Sequence, residues 1–144
     1  MEKFIVFTDG GARGNPGPAG IGVVIQDARG KALAAFGDYI GETTNNQAEY
    51  RAMIVALERA KELGATEVDA FADSELLVKQ LNRVYKVKSA GLAPLFVKAW
   101  NLAAGFRRCT FRHVRREENR EADRFVNAAI DRRGRVSAYG AAWY

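Results

Sequence analysis

Residues 2–8 (EKFIVFT) form a short apolar run that stops at Asp9, Gly10 and Gly11, which predicts a buried strand followed by a turn. Residues 14–18 (GNPGP) are a loop signal. Residues 20–26 and 32–40 flank the sequence DARG and predict a hairpin. Thr44 and Gln47 stand at capping-box spacing, so a helix should follow. Ala48, Ala52, Val55, Ala56 and Leu63 supply its apolar face, and Gly64 ends it. Glu67–Ala72 predicts a fourth strand ending at Asp73 and Ser74, and residues 74–81 a short helix. Residues 85–90 read as a basic connector, 91–105 as a second helical stretch, and 108–114 as an alternating fifth strand. Asn119 is placed to cap a last helix with Ala122, Phe125, Val126, Ala129 and Ile130 on its apolar face. The tail from 134 to 144 holds two glycines, two tyrosines and Trp143.

This order predicts an α/β fold with a five-stranded mixed sheet. An antiparallel N-terminal meander comes first, later strands enter in parallel through helical crossovers, and helices cover both faces. A chain of 144 residues is one domain's worth. The single cysteine, Cys109, excludes a disulfide framework and a zinc site of several thiolates, and the single histidine, His113, excludes a multi-histidine metal site. No apolar run approaches a membrane span, and residues 1–4 (MEKF) do not look like a secretory signal, so a soluble, cytoplasmic protein is expected. Charge is unevenly spread. Residues 1–76 carry 7 Lys/Arg against 12 Asp/Glu, while residues 77–144 carry 15 against 5. A basic half of this kind suits nucleic acid, though a solvated basic surface has the same composition.

The acidic half contains the candidate chemistry. Asp9 and Asp73 each break an apolar run where a strand meets its turn, which is where sites gather in open α/β sheets. Parallel neighbouring strands would set them side by side, a repulsive arrangement that a divalent cation relieves. Each Asp could equally start a turn. Glu49 and Asp123 fall in the second turns of their helices, where they serve either the same cluster or a solvated helix surface.

The residues around each acid separate these alternatives. The stretches TDGGARGNPGPAG around Asp9, TTNNQAEYRAM around Glu49, ADSELLVKQLN around Asp73 and HVRREENREAD around Asp123 occur in this order. Together they resemble ribonuclease HI, the type 1 ribonucleases H, from about residue 2 to 132. The resemblance implies a ribonuclease H-like fold, with residues 1–132 as the catalytic domain. The tail 133–144 lies beyond the resemblance, and its aromatics Tyr139, Trp143 and Tyr144 are expected to pack on the same domain, with pairing at a sheet edge, a partner or stacking on bases as the alternatives. The resemblance also implies that Asp9, Glu49, Asp73 and Asp123 are the catalytic metal ligands for two Mg²⁺ or Mn²⁺ ions. Asp9 would bridge both ions, Asp123 would lie on the nucleophile side, and Glu49 and Asp73 on the leaving-group side. The implied reaction is hydrolysis of the RNA strand of an RNA/DNA hybrid, leaving a 5′-phosphate and a 3′-hydroxyl. His113, ten residues before Asp123, matches the family's mobile-loop histidine that assists proton transfer or product release. It also continues the alternation of the fifth strand.

The resemblance further implies that Asn15, Asn45 and Asn46, with backbone groups of Gly11 and Ala12, read the hybrid's minor groove, and that Glu49 doubles as a 2′-hydroxyl acceptor. Thr44 would hold a phosphate of the DNA strand. Glu75 departs from the pattern, because many relatives carry Gln there and an acid cannot donate a hydrogen bond to a base. The long basic, Trp-rich protrusion of some relatives is replaced by NRVYKVKSAGLAP, which keeps only Arg83, Lys86 and Lys88. Weaker, more salt-sensitive hybrid binding is therefore expected, with Arg115, Arg116 and Arg120 as partial substitutes. Arg115 also stands where many similar sequences have Pro. A monomer acting on an RNA/DNA hybrid is the leading expectation, and a non-cleaving hybrid-binding module the alternative.

Overall fold

The computed structural model describes residues 2–139. Its elements are β1 (Lys3–Ala12), β2 (Gly17–Asp27), β3 (Ala32–Thr43), α1 (Asn45–Glu62), β4 (Glu67–Ala72), α2 (Glu75–Leu81), α3 (Ala93–Ala104), β5 (Arg108–His113), a 3-10 turn (Arg116–Glu118), α4 (Arg120–Arg132) and β6 (Val136–Tyr139). The sheet order is β5-β4-β1-β2-β3-β6. β1, β2 and β3 form the expected antiparallel meander, and β4 and β5 lie parallel to β1 and β4 in turn.

Alternation along the strands divides the core in two. Phe4 and Val6 of β1 and Val23 and Ile25 of β2 face α1, α2 and α3, where they pack with Tyr50, Met53, Leu57, Leu77 and Leu81. The next residues along, Phe7 and Val24, face α4 and pack with Ala122 and Phe125. One buried polar pair lies on the first face. The Tyr50 hydroxyl donates to Gln80 Oε1 at 2.6 Å, and burial pushes that hydroxyl up to about 12. The exposed rings of Tyr85 and Trp100 are each covered by a basic side chain, Lys79 and Arg83, at 4.9 and 5.3 Å from the ring centroids.

The structure departs from the pattern-based reading in two places. The sheet has six strands rather than five. Residues 136–139 of the tail pair antiparallel with the edge of β3, with Gly37 opposite Val136 and Ala35 opposite Tyr139. Trp143 and Tyr144 lie outside the described residues. Secondly, β1 does not turn at Asp9. It runs on to Ala12, pairing with β2 as far as Ala19, while its pairing with β4 stops at Thr8 and Ala72. Gly10, one of the two glycines that suggested a turn, serves close packing instead. A Cβ on Gly10 would collide with the Ala48 carbonyl of α1, and one on Gly22 with the Ala122 carbonyl of α4. Both helices therefore touch the sheet backbone to backbone. Among the described residues, no helix is long and apolar enough to cross a membrane.

Gly22→Ala should push α4 off β2 and lower stability by about 1–3 kcal/mol, read as a lower urea midpoint at unchanged slope. An unchanged midpoint would show that the contact is not tight.

Candidate functional site

β1 runs on past the end of its parallel neighbour, so Asp9, the first residue beyond the last pair, emerges beside Asp73, the first residue after β4. Asp9 shares its strand face with Phe7, the face that α4 covers, and its carboxyl is hydrogen-bonded to Asp123, which lies in the first turn of that helix rather than the expected second. On the other side, the Gly10 contact brings the start of α1 onto β1 and delivers Glu49. Thr44 caps α1 as expected, its Oγ1 accepting from Gln47 N at 3.2 Å. Half of the expected capping box is missing, because the Gln47 side chain pairs with the Thr43 hydroxyl instead of returning to Thr44.

Asp9, Glu49, Asp73 and Asp123 thus line one open cleft of about 460 Å³. Gly11, Ala12, Asn45 and Asn46 form a second part of its wall. Asn15 joins through a chain of hydrogen bonds: Asn45 N donates to Asn15 Oδ1 at 3.1 Å, and Ala12 N donates to Asn45 Oδ1 at 2.7 Å. These bonds orient both carboxamides. Their oxygens are taken by backbone donors, so the Nδ2 groups are the ends left to donate elsewhere. They also engage the Ala12 amide, which leaves the Ala12 carbonyl as the other backbone group at that position.

Asn15 and Thr44 are not among the residues that line the cleft, and neither are His113 and Glu75. His113 ends β5 beside Ala72, and its exposed ring donates from Nε2 to the Asp73 carbonyl at 3.2 Å. Glu75 pairs with Lys79 at 2.8 Å, and Lys79, with a smaller contribution from His113, holds its carboxyl below the usual range. Both residues flank Asp73 without joining the other acids.

Three residues have roles that the pattern did not reveal. Asn119 occupies the N-cap position of α4 but makes no side-chain cap. It is 2% exposed, and its Nδ2 donates instead to the Thr8 carbonyl at 2.8 Å and to Asp73 Oδ2 at 3.3 Å. It thereby ties the start of α4 to β1 and to an acid. Ser74, the cap of α2, also hydrogen-bonds Glu49. Arg116, expected as a partial substitute for the missing basic protrusion, lines the cleft itself.

Crowding shows in the electrostatics. Burial, then the charge of Asp73, then Asp123 and Glu49, push the Asp9 carboxyl up from 3.8 to about 9. Burial also raises Glu49 to about 7, with the charge of Asp73 adding to it and the Ser74 hydrogen bond and the Arg116 charge opposing. Among the described residues, no three side chains are already drawn together as a cage for one ion. The donor set nevertheless suits a hard divalent cation, because it consists of carboxylate oxygens around an acid that keeps a proton for want of positive charge.

A family model described as reverse transcriptase-like matches residues 7–129. A bifunctional protein of Mycobacterium tuberculosis is 46% identical over 130 residues, which are 90% of this chain and 36% of that protein. Ribonuclease HI of Halobacterium salinarum is 42% identical over 125 residues, covering 87% of this chain and 63% of that enzyme. The chain therefore spans between about a third and two thirds of these curated relatives. Among solved structures, LC11-RNase H1 in complex with an RNA/DNA hybrid superposes with a TM-score of 0.86 at 49% identity, covering 90% of this chain and 98% of that one.

Metal-free protein tests the crowding. The folded chain holds the Asp9 proton up to about 9, whereas the unfolded chain releases it near 3.8. The associated stability is present in full below the lower value and is lost as pH rises through the upper one. Without metal, thermal stability should therefore fall as pH rises from about 5 to about 9. Asp9→Asn should flatten that slope and stabilise the protein by about 1–3 kcal/mol near pH 8. A lower melting temperature in the variant would contradict the crowding.

Proposed function

The chain belongs to the type 1 ribonuclease H family, and on that premise we propose that it is a metal-dependent endonuclease cutting the RNA strand of RNA/DNA hybrids. The observation that carries this reading is the meeting of four carboxylates, from β1, α1, the end of β4 and α4, in one open cleft. The family is divalent-metal dependent, and in this chain Asp9, Glu49, Asp73 and Asp123 would hold the metal, taken as two Mg²⁺ or Mn²⁺ ions. Asp9, flanked by both other aspartates, would be the ligand shared between the ions. Bound ions would supply Lewis acidity at phosphorus, an activated water and neutralisation of the leaving 3′ oxygen.

The chain's own residues do the positioning. Ser74 orients the Glu49 carboxyl, and Asn119 orients that of Asp73. Asn15 and Asn45 present amide donors, suited to acceptors in a minor groove, where only the 2′-hydroxyl distinguishes RNA from DNA at one nucleotide. Thr44 stands at the start of α1, where a helix end favours a phosphate of the DNA strand. His113, beside Asp73 and exposed, is within reach for proton transfer or product release. Residues 76–116 contain ten Lys or Arg and no Asp or Glu, a composition suited to a polyanionic substrate. All four acids come from one chain, which supports action as a monomer, and we extend the proposal to the cytoplasm as its compartment. The pairing of β6 with β3 supports the tail as part of the catalytic domain.

An end-labelled RNA/DNA hybrid tests the reading. With Mg²⁺ or Mn²⁺, cuts should appear in the RNA strand alone, leaving 5′-phosphates, and EDTA should abolish them. Asp73→Asn should lower the rate by more than about a hundredfold. Hybrid bound but left intact would favour the non-cleaving binding module instead.

A further inference from the structure

We propose that Tyr50 and Gln80 are a positioning pair, whose buried hydrogen bond sets Glu49 against Asp73 at the spacing a shared divalent cation requires. The proposal rests on the metal-dependent ribonuclease reading and adds to it a device that lies outside the cleft. Glu49 and Tyr50 are consecutive in α1, and consecutive helical residues point about 100° apart. Glu49 therefore lines the cleft while Tyr50 enters the core, where it is 1% exposed. Both residues meet α2. Ser74, at the start of that helix, hydrogen-bonds Glu49, and Gln80, in its last turn, accepts from the Tyr50 hydroxyl at 2.6 Å. Asp73 directly precedes Ser74 in the chain. Two adjacent residues of α1 thus hold the two ends of α2, and one of those ends begins at an acid of the site.

Apolar packing would not fix this arrangement by itself. Leu77, Val78 and Leu81 bury α2 in the same core, but hydrophobic contact has no direction and lets a short helix slide or turn. A hydrogen bond has a preferred distance and angle. Burying two polar side chains also costs desolvation, so the pair contributes orientation more than net stability. The end of α2 has one further tie, from Asn82 Nδ2 to the Phe111 carbonyl of β5 at 3.0 Å. Without the Tyr50 bond, α2 would keep that anchor and pivot on it, shifting Ser74 and with it the spacing of Glu49 from Asp73.

The test is Mn²⁺ binding to the metal-free chain, with free Mn²⁺ counted by electron paramagnetic resonance, beside a urea midpoint for each variant. Tyr50→Phe keeps the ring and leaves Gln80 Oε1 without its donor. It should weaken Mn²⁺ binding about tenfold and lower the midpoint. Combining Tyr50→Phe with Gln80→Leu removes both polar groups. The double variant should regain most of the midpoint while Mn²⁺ binding stays weak, because packing returns and orientation does not. Phe4→Leu is the control for general destabilisation, since Phe4 is also buried but lies at the far end of β1 from Asp9. It should lower the midpoint and leave Mn²⁺ affinity within about twofold. Mn²⁺ binding that recovers with stability in the double variant, or falls equally in Phe4→Leu, would reduce the pair to a core contact and overturn the proposal. Unchanged binding in Tyr50→Phe, or a wild-type chain that binds no Mn²⁺, would overturn it as well. Failure of the ribonuclease reading would look different. The wild-type chain would then bind Mn²⁺, and Tyr50→Phe would weaken it, yet the RNA strand of a hybrid would stay intact.

Discussion

Two helix backbones lie against the sheet with no side chain between them. At Gly10 the start of α1 rests on β1, and at Gly22 the start of α4 rests on β2. Each contact sits within a few residues of an acid, Glu49 on α1 and Asp123 on α4. With a Cβ at either glycine, the helix would have to move outward and take its acid away from Asp9. The packing of bare backbone thus decides where the carboxylates stand, ahead of any attraction between them. The hydrophobic clusters on the two faces then supply the force that holds the helices down.

The cluster held in this way opposes folding in the absence of metal. Burial first, and then the neighbouring carboxylates Asp73, Asp123 and Glu49, hold the Asp9 proton up to about 9. Three neighbours moderate the strain without removing it. Ser74 donates to Glu49, Asn119 donates to Asp73, and Arg116 brings a positive charge to the rim. Each is positioned by a helix start or a short turn rather than by a long loop, so the site is rigid wherever backbone bonds surround it. Strain maintained by such a scaffold is the usual condition of a site awaiting a charged ligand.

Much of this was legible in the residues alone. The fourth strand begins and ends where its alternation does, at Glu67 and Ala72, and Thr44 caps the helix that its spacing announces. The four acids lie in four separate motifs, and the fold brings them to one cleft. The misreadings share a physical origin, because each concerns a residue type with two uses. Gly10 and Gly11 look like a turn, yet both lie inside a strand, and at Gly10 a helix must approach it closely. Asn119 has the character of a cap, but a buried carboxamide can also clamp a strand carbonyl, and only tertiary packing chooses between them. The sixth strand depends on the free edge of β3, about a hundred residues away, which no local pattern encodes. The place of Arg116 in the cleft follows from the 3-10 turn before α4, in a segment whose arginines alone suggest a general affinity for the hybrid and no particular position.

The central claim is that the four carboxylates act as one electrostatic unit completed by divalent metal. Its most direct test is calorimetric titration of Mn²⁺ into metal-free protein near pH 8, in two buffers of different ionisation heat. The account predicts release of about one proton per chain on binding, the proton that Asp9 keeps while the cluster lacks positive charge. Binding with no proton released, or no binding at all, would contradict it.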